Sequence, residues 1–380
     1  MSADSAIAFP VSDAGTCFRA DAGGLRVTLS DGRSRLLHPL WLRERLPDPR
    51  VLDPVTGQRL IEAADLPTDL ALLSATPDGI LRFSDGFETR LPDRCQDALF
   101  PPSPDITPVL WDGGFVPPEP VDFQAMQACN VTGMRANPPL ALFLTHLARH
   151  GFAIVRNVPA TMDGALDFAR LIGPIRTTNW GGLADVRAIA NAYDLTMTPR
   201  HLEPHSDNPY RNPTPGYILL HCLTNDATGG ESTLVDGFQA AEHLRVTDPD
   251  AFETLATTDI LFRYRDDNTL LEHHAPLIAC DRSGRVRQVR YSNRTEMIYA
   301  LPAVRLDRYY RARRALWTLI RPESPLTLRF KLAPGELLMM DNYRLLHGRA
   351  GYRLETGSRH MRQCYMDRDI VFSRRAGLNE

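Results

Sequence analysis

The chain has 380 residues, of which 43% are hydrophobic and 23% are charged, and its formal net charge at pH 7 is -3. These are ordinary values for a soluble globular protein, and a nearly neutral chain offers no polycationic face for nucleic acid. The apolar runs are shorter than a membrane span, and the N-terminus lacks a basic region followed by an apolar stretch. We therefore predict a cytoplasmic protein without a nucleic-acid or membrane partner, long enough for one large domain and a smaller one.

The first hundred residues have the pattern of a small β-rich domain. Alternating apolar residues are interrupted at Gly32 and again at Gly86, each after an aspartate, as in β-hairpins. Residues 101–122 are rich in proline, which is excluded from helix interiors and central strands. We predict a β-rich domain over 1–100, an extended linker over 101–122, and a second domain over 123–380.

The second domain is predicted to be mainly β with flanking helices. Apolar spacing predicts a helix over Pro138–His150 that ends at Gly151, followed by a buried strand and a shorter helix. Further helices are predicted over Phe238–Arg245 and Leu306–Ile320. The β-rich segments are VRAIANAY, GYILLHCL, STLVDG, DILFRY, RVRQVRYS, LTLRFKL, ELLMMDN and SRHMRQCYM. Many strands with few helices predict a sandwich or barrel that encloses a pocket.

The most informative segment is RHLEPHSDNPYRNP, residues 200–213, in which His205 and Asp207 are two apart. In an extended chain, residues i and i+2 project to the same side, so one imidazole and one carboxylate reach the same ion. A distant second histidine completes the facial triad of non-heme iron(II) oxygenases, which leaves coordination positions open. The spacing alone is weak, because a chain with 11 histidines and 46 acidic residues contains such pairs by chance. His201 and Glu203 offer a rival pair.

The third ligand is predicted to be His347, in the strongly patterned segment GELLMMDNYRLLHGRAGY. Its main rival is the pair His273-His274, whose acidic and loop-like surroundings favour surface histidines. His221 is predicted to pack in the core from a strand. His360 lies between basic residues, which disfavour binding of a cation.

Two arginines follow His347 in SRHMRQCYMDRD. Arg359 and Arg362 are three apart, so in a strand they face opposite ways and at most one points into a pocket. A dicarboxylate that chelates iron through its 2-oxo acid end needs a cation at its far carboxylate, and a bidentate guanidinium suits that role. Arg359 is the preferred residue. The alternative is that both arginines form surface ion pairs with Asp367 and Asp369.

The motifs around these residues occur in a fixed order: HPLWLRER, HSDNPY followed by PGYILLHCL, TGGESTLVDGF, FKLAPGELLMMDNYRLLHGRAGY and SRHMRQCYMDRDIVFSR. With them, most of the chain resembles the TauD-like 2-oxoglutarate dioxygenases, and within these the γ-butyrobetaine and trimethyllysine hydroxylase branch. The resemblance implies a double-stranded β-helix (jelly-roll) catalytic domain, iron(II), 2-oxoglutarate and O2 as cosubstrates, and a homodimer. The residues that it assigns to iron and cosubstrate are His205, Asp207, His347, Arg359 and Ser232. Arg362 is kept as the second candidate arginine for the cosubstrate.

The same branch encloses its substrate's trimethylammonium group in an aromatic cage, where the ring faces attract the cation. The positions that correspond to cage residues hold Trp180, Tyr193 and Tyr365 in this chain, while Arg176 stands at the position of a further tyrosine. Residue type alone would place these aromatic side chains in the core. The resemblance therefore predicts a cage that lacks one ring.

Two other departures from the family concern zinc and the acidic end of the substrate. The cysteine cluster that binds structural zinc after the WLR segment is absent, so we predict that this zinc site is lost. In RYSNRTE, Asn293 is followed by Arg294 where the family has a small residue. A cation at this position favours a doubly charged phosphonate over a carboxylate. The other interpretation is that Arg294 faces solvent.

Together these features predict a hydroxylase that acts on a small trimethylammonium zwitterion. The favoured substrate is 2-(trimethylammonio)ethylphosphonate, and γ-butyrobetaine is the alternative. From other functional classes, a metal-dependent hydrolase and a catalytically silent binding protein remain as alternatives.

Overall fold

A computed structural model describes residues 9–11, 16–28, 32–46, 48–76, 79–91, 106–129, 137–189, 195–299 and 301–379. The chain divides into two compact units, Met1–Asp105 and Ile106–Glu380. Residues 106–122, the described part of the predicted linker, belong to the second unit, where Trp111 is buried and its Nε1 donates to His150 O. Within the described ranges, no helix has the length and apolar character needed to cross a bilayer.

The first unit consists mainly of antiparallel strands. They are β1 (Phe9–Val11), β2 (Thr16–Asp21), β3 (Gly24–Thr28), β4 (Ser34–Leu37), β5 (Leu72–Ala75), β6 (Ile80–Phe83) and β7 (Glu88–Arg90). A short helix covers Pro39–Arg43 and a 3-10 turn covers Ala63–Asp65. The sheets have the orders β1-β2-β3-β4 and β5-β6-β7. The two hairpins predicted from the sequence are present as β3-β4 and β6-β7.

The second unit contains the larger set of elements. Its strands are β8 (Val121–Asp122), β9 (Phe152–Arg156), β10 (Ala184–Arg187), β11 (Leu202–His205), β12 (Tyr217–Asn225), β13 (Ser232–Asp236), β14 (Ile260–Arg265), β15 (Leu270–Ala275), β16 (Ile278–Cys280), β17 (Val286–Val289), β18 (Glu296–Met297), β19 (Thr327–Phe330), β20 (Leu337–Asp341), β21 (Leu345–Arg349) and β22 (Arg359–Met366). Its α-helices are Phe123–Cys129, Pro138–His150, Gly164–Ala169, Gly237–Thr247, Pro249–Thr257, Ala303–Ile320 and Arg368–Asn379. Turns of 3-10 helix cover Leu195–Met197 and Leu354–Thr356.

Two sheets form the centre of the second unit. One has the order β10-β22-β12-β20-β9-β8 and the other the order β11-β21-β13-β19. From β11 to β13 and again from β20 to β22, the chain alternates between the two sheets, which is the double-stranded β-helix that the sequence predicted. The space between the sheets is filled by apolar side chains from both, including Ile218, Leu234, Met340 and Met361. Two of these residues, Ile218 and Met340, also line the cavity described below.

Helices cover the outer surface of the six-stranded sheet. The helix Pro138–His150 begins at Asn137, whose side chain accepts from Leu140 N, and ends at Gly151. Gly151 has the left-handed conformation, with φ of 80°, that favours glycine at a helix C-terminus. Phe143 and its buried neighbours pack in the cluster beneath this helix. The predicted end of the helix is confirmed.

One segment was predicted wrongly as a surface loop. Residues 270–275 form β15, which pairs with β14 along its length and places His273 opposite Phe262. The hairpin closes where Asp266 N donates to Thr269 O. His274 is exposed, as expected for a surface histidine, whereas His273 is half-buried. Cross-strand pairing, which composition does not reveal, decides the conformation here.

Candidate active site

Neighbouring strands of the four-stranded sheet bring two histidines together. β11 pairs antiparallel with β21, so His205 lies directly opposite His347. Asp207 follows just beyond the end of β11, and its Oδ1 lies 3.4 Å from His205 Nε2 and 3.8 Å from His347 Nε2. The three ligand atoms lie within 4.8 Å of one another. The fold thus assembles the three residues that the sequence predicted as iron ligands.

The protonation of these groups suits a divalent cation. His205 Nδ1 lies 2.8 Å from Glu203 O, and because a carbonyl only accepts, Nδ1 is the donor in this contact and Nε2 is the ring nitrogen that faces Asp207. Burial, together with the nearby His205, lowers the pKa of His347 to about 3, so its ring is neutral at pH 7. Burial acts to raise the pKa of Asp207, but the neighbouring imidazoles and hydrogen bonds outweigh it and hold that pKa well below the usual range. Two imidazoles and a carboxylate are the donor set of an iron(II) facial triad.

The rival histidines do not join this group. His201 Nε2 lies 3.1 Å from Glu203 Oε1 at an exposed position, so the rival pair is satisfied within itself. His360 Nε2 lies 2.7 Å from Asp185 Oδ1, and His221 is fully buried in β12. Across the described ranges of the chain, the group of His205, Asp207 and His347 is the one set of three or more potential ligands close enough to hold a metal.

Asn342 holds the backbone of Asp207, and sequence reasoning missed it. Its side-chain Oδ1 accepts from Asp207 N at 2.8 Å, while its Nδ2 donates to Asp207 O at 2.9 Å and to Pro215 O at 3.0 Å. Asn342 is fully buried. The only sequence signal was its place in MMDNYRLLH, five residues before His347. Asn342 therefore fixes the loop that presents the carboxylate ligand.

A cavity of about 750 Å³ lies beside the three ligands, a size typical of small-molecule sites. Arg359 lines it and is 5% exposed; its Nε donates to Gly230 O, and its Nη1 is buried without a hydrogen-bond partner. Burial and the nearby charge of Arg349 lower the pKa of Arg359 to about 10, which leaves it protonated at pH 7. Ser232 also lines the cavity. A buried guanidinium with an unsatisfied N–H fits the far carboxylate of 2-oxoglutarate.

Arg362 has a different environment. Its Nε donates to Met162 O at 3.1 Å and its Nη1 to Asp185 Oδ1 at 3.0 Å. Both Arg359 and Arg362 line the cavity, although strand alternation predicted that at most one would. The reason is that Asp185, on the neighbouring strand β10, holds the Arg362 guanidinium at the cavity edge. Because that carboxylate already compensates its charge, Arg362 is the weaker candidate for the cosubstrate.

Aromatic rings form one part of the cavity lining. Trp180 and Tyr365 line it, and so do Tyr210 and Tyr264, which the sequence did not single out. The Trp180 ring packs edge-on against Tyr264 with centroids 5.0 Å apart, and Tyr264 stacks on Tyr210 at 5.3 Å. Tyr193 lies outside the described residues. We call Trp180, Tyr210, Tyr264 and Tyr365 the aromatic wall.

Arg176, at the position of the further cage tyrosine, lies next to this wall. Its backbone N–H donates to Tyr365 O at 2.7 Å. Its guanidinium pairs with Asp367 Oδ1 at 2.9 Å. The charge that replaces a ring here is therefore compensated by a carboxylate.

The two residues predicted at the acidic end of the substrate lie in different places. Arg294 is exposed at the edge of the cavity and lines it, and its charge contributes to lowering the pKa of His347. Asn293 is exposed, accepts from Arg313 Nη2 at 3.1 Å, and is not part of the cavity lining. Of this pair, Arg294 is the one placed to meet a bound anion.

A double-stranded β-helix with a His-Asp-His donor set in a cavity defines the class of non-heme iron oxygenases. The family described as taurine catabolism dioxygenase TauD, TfdA family, matches residues 131–365. The γ-butyrobetaine dioxygenase of Pseudomonas sp. (strain AK-1) is 33% identical over 93% of this chain and 93% of its own length. The mitochondrial trimethyllysine dioxygenase of Mus musculus is 32% identical over 67% of this chain and 59% of its own length.

The crystal structure of asparagine oxygenase has the same fold, with a TM-score of 0.50 and 19% identity over 64% of this chain and 81% of that chain. The chain belongs to the TauD/TfdA family. It is a dioxygenase with iron(II) as cofactor and 2-oxoglutarate as cosubstrate, which sets aside the hydrolase and the silent binding protein.

Proposed function

We propose that this dioxygenase hydroxylates a small zwitterion with a quaternary ammonium group at one end and an acid at the other. One observation carries the proposal: the cavity that contains the iron ligands is lined both by the aromatic wall and by Arg294. A quaternary ammonium group cannot donate a hydrogen bond, so ring faces are the groups that bind it best in a site closed to water. A guanidinium binds the acid.

The identity of the acid has two candidates, each with its own support. Relatives named γ-butyrobetaine dioxygenase support a carboxylate, and γ-butyrobetaine is then the substrate. The cation of Arg294 at the cavity edge supports a phosphonate, because a doubly charged group gains more from it. In that case 2-(trimethylammonio)ethylphosphonate is the substrate.

The residues of the chain position the metal, the cosubstrate and the substrate. Iron(II) and 2-oxoglutarate, when bound, supply the oxidising chemistry, in which dioxygen is consumed as the 2-oxo acid becomes succinate and carbon dioxide. His205, Asp207 and His347 would hold the metal, and Arg359 would hold the far carboxylate of the cosubstrate. The aromatic wall and Arg294 would fix the two ends of the substrate, so that one carbon is presented to the metal and water is kept away.

The test is a substrate panel. Succinate formation would be measured with trimethylammonium carboxylates and phosphonates of increasing chain length, for the native chain and for Arg294→Ala. If the substrate is a phosphonate, we expect Arg294→Ala to lower kcat/KM for phosphonates roughly tenfold or more, with a smaller loss for carboxylates. Equal losses on both acids would refute this role for Arg294.

Turnover measurements on the native chain test the main proposal. Turnover of γ-butyrobetaine or the phosphonate above the rate of succinate formed without substrate is the expected result. Turnover restricted to compounds without a quaternary ammonium group would overturn it. His205→Ala is the control that separates enzymatic succinate from background.

A further inference from the structure

The second oxygen of the Asp207 carboxylate is held by two residues of β22. Asp207 Oδ2 accepts from Gln363 Nε2 at 2.7 Å and from the Tyr365 hydroxyl at 2.8 Å. Gln363 Nε2 also donates to the Tyr365 oxygen at 2.7 Å. The Tyr365 hydroxyl gives its hydrogen to the carboxylate, and the Gln363 amide nitrogen lies within hydrogen-bond distance of both oxygens. Together these contacts form a closed hydrogen-bonded triangle.

The fold accounts for this contact. Gln363 and Tyr365 are two apart on β22, so they project from the same face of the six-stranded sheet. Their cross-strand neighbours on β12 are Leu220 and Ile218, which line the same cavity. Asp207 belongs to the chain that leaves β11, in the other sheet. The triangle therefore crosses from one sheet to the other at the metal site.

The geometry leaves only one oxygen of Asp207 available to a metal. Oδ1 faces the two imidazoles, whereas Oδ2 is turned to Gln363 and Tyr365. A carboxylate that binds through both oxygens takes an additional coordination position. Held through Oδ1 alone, Asp207 would join His205 and His347 as a single-atom ligand and would leave coordination positions open for the 2-oxo acid and dioxygen.

We infer that Gln363 and Tyr365 are positioning residues that hold Asp207 as a one-oxygen ligand and so preserve the open coordination positions. This inference rests on the proposed role of Asp207 as an iron ligand. It gives Tyr365 a second task besides its ring in the aromatic wall. Gln363 had no assigned task.

The test measures metal affinity rather than turnover. Anaerobic iron(II) and cobalt(II) would be titrated into the native chain, Gln363→Leu, Tyr365→Phe and the double variant, with the Kd measured by calorimetry. Partners that orient metal ligands typically change affinity 10–100-fold. We expect the double variant to bind roughly tenfold to 100-fold more weakly, and each single variant to lie between it and the native chain. Tyr365→Phe keeps the ring, so its effect reports the hydroxyl alone.

Matched controls are available elsewhere in the chain. Gln288→Leu makes the same change at a buried position of β17 that does not line the cavity. Tyr309→Phe removes a buried hydroxyl that donates to Glu296. Both controls are expected to keep the native metal affinity. If they lose as much affinity as the β22 variants, the effect is general destabilisation and the inference is overturned.

Asp207→Ala separates this inference from the function on which it rests. If Asp207→Ala binds metal as the native chain does, Asp207 is not a ligand and the proposed metal site is wrong. If Asp207→Ala abolishes binding but the double variant keeps native affinity, the metal site stands and the positioning role is overturned. Because each single variant tests one donor, failure of the double variant to fold leaves both measurements usable.

Discussion

Arg359 combines burial, a positive charge and an unsatisfied N–H in the cavity that the proposed iron ligands also line. Lysine would keep the charge but could not make a bidentate contact, and alanine would remove both. We therefore expect Arg359→Lys to raise the KM for 2-oxoglutarate roughly tenfold and Arg359→Ala roughly 100-fold, since hydrogen bonds to charged groups contribute about 1.5–3 kcal/mol. Initial rates of succinate formation over a range of 2-oxoglutarate concentrations would measure this.

Arg362→Lys is the matched comparison. Its guanidinium is compensated by Asp185, so the KM for 2-oxoglutarate should change less than in Arg359→Lys. The opposite ranking of the two variants would transfer the cosubstrate role to Arg362.

At the scale of single residues, sequence reasoning named the candidate ligands that the fold brings together, but not the residues that hold them in place. His205 and Asp207 could be paired because i and i+2 share a face in extended chain, and His347 was predicted from the strongly patterned segment around it. Asn342 and Gln363 act through hydrogen bonds across strands whose partners are distant in the chain. A single sequence carries no pattern for such contacts, because asparagine and glutamine are mostly found on protein surfaces.

At the scale of elements, strands with buried faces were the most predictable. GYILLHCL and ELLMMDN became β12 and β20, whose apolar side chains pack into clusters on both faces of the six-stranded sheet. The strand β15 was missed because only one of its six residues is buried, so its hydrophobic pattern is weak. The helix Arg368–Asn379 was missed for a similar reason, since it is rich in charge. Strand pairing stabilises β15, and packing against neighbouring elements stabilises the helix. The hydrophobic pattern of either segment alone does not predict this.

In the first unit, a polar cluster links the chain after the helix Pro39–Arg43 to the β6-β7 hairpin. The guanidinium carbons of Arg43 and Arg50 lie 3.5 Å and 4.2 Å from the Phe87 ring centroid. Arg43 pairs with Asp85 at 3.0 Å, and Arg50 pairs with Asp48 at 2.7 Å. These contacts follow the WLR segment, where related proteins were expected to carry a zinc-binding cysteine cluster. These ion pairs and cation–π contacts hold the segment to the hairpin without a metal.

We expect Arg43→Ala to lower the local unfolding free energy of this hairpin by about 2 kcal/mol, because it removes the ion-pair partner of Asp85, whose side chain is 15% exposed. Hydrogen exchange of the β6 amides in the full chain would measure it. Arg82→Ala is the control: the pair Arg82–Glu88 is in the same sheet, but its side chains are 60% and 50% exposed, so the loss should stay below about 0.5 kcal/mol. Equal losses would show that the ring and the burial of Arg43 do not matter.

At the scale of the whole molecule, His221 makes stability depend on pH. It is fully buried in β12, and burial lowers its pKa to about 4 against a smaller opposing effect of the Val158 backbone. In the unfolded chain its pKa is about 6.5. The unfolded state therefore takes up a proton first as the pH falls. The contribution of the neutral His221 ring to the free energy of unfolding is complete above pH 6.5. It is lost progressively as the pH falls from there towards 4.

We expect His221 to lower the free energy of unfolding by about 2 kcal/mol when the pH is reduced from 7.5 to 5, because each unit of pKa difference corresponds to about 1.4 kcal/mol. Urea unfolding of the native chain and of His221→Leu at both pH values would measure it. The variant removes the titrating group, so its stability should fall less over the same interval. A loss of the same size in both proteins would assign the acid sensitivity to other groups.

The direct opposition of His205 and His347 in β11 and β21 has a consequence for biosynthesis. The two imidazoles are far apart in the chain, so no iron site exists on the ribosome until synthesis has passed β21. Arg359, Gln363 and Tyr365 follow only with β22, which closes the cavity from the other sheet. An incomplete nascent chain can thus neither load the metal with its full ligand set nor bind the cosubstrate. The proposed iron site is therefore complete only when the strands that enclose its cavity have been synthesised.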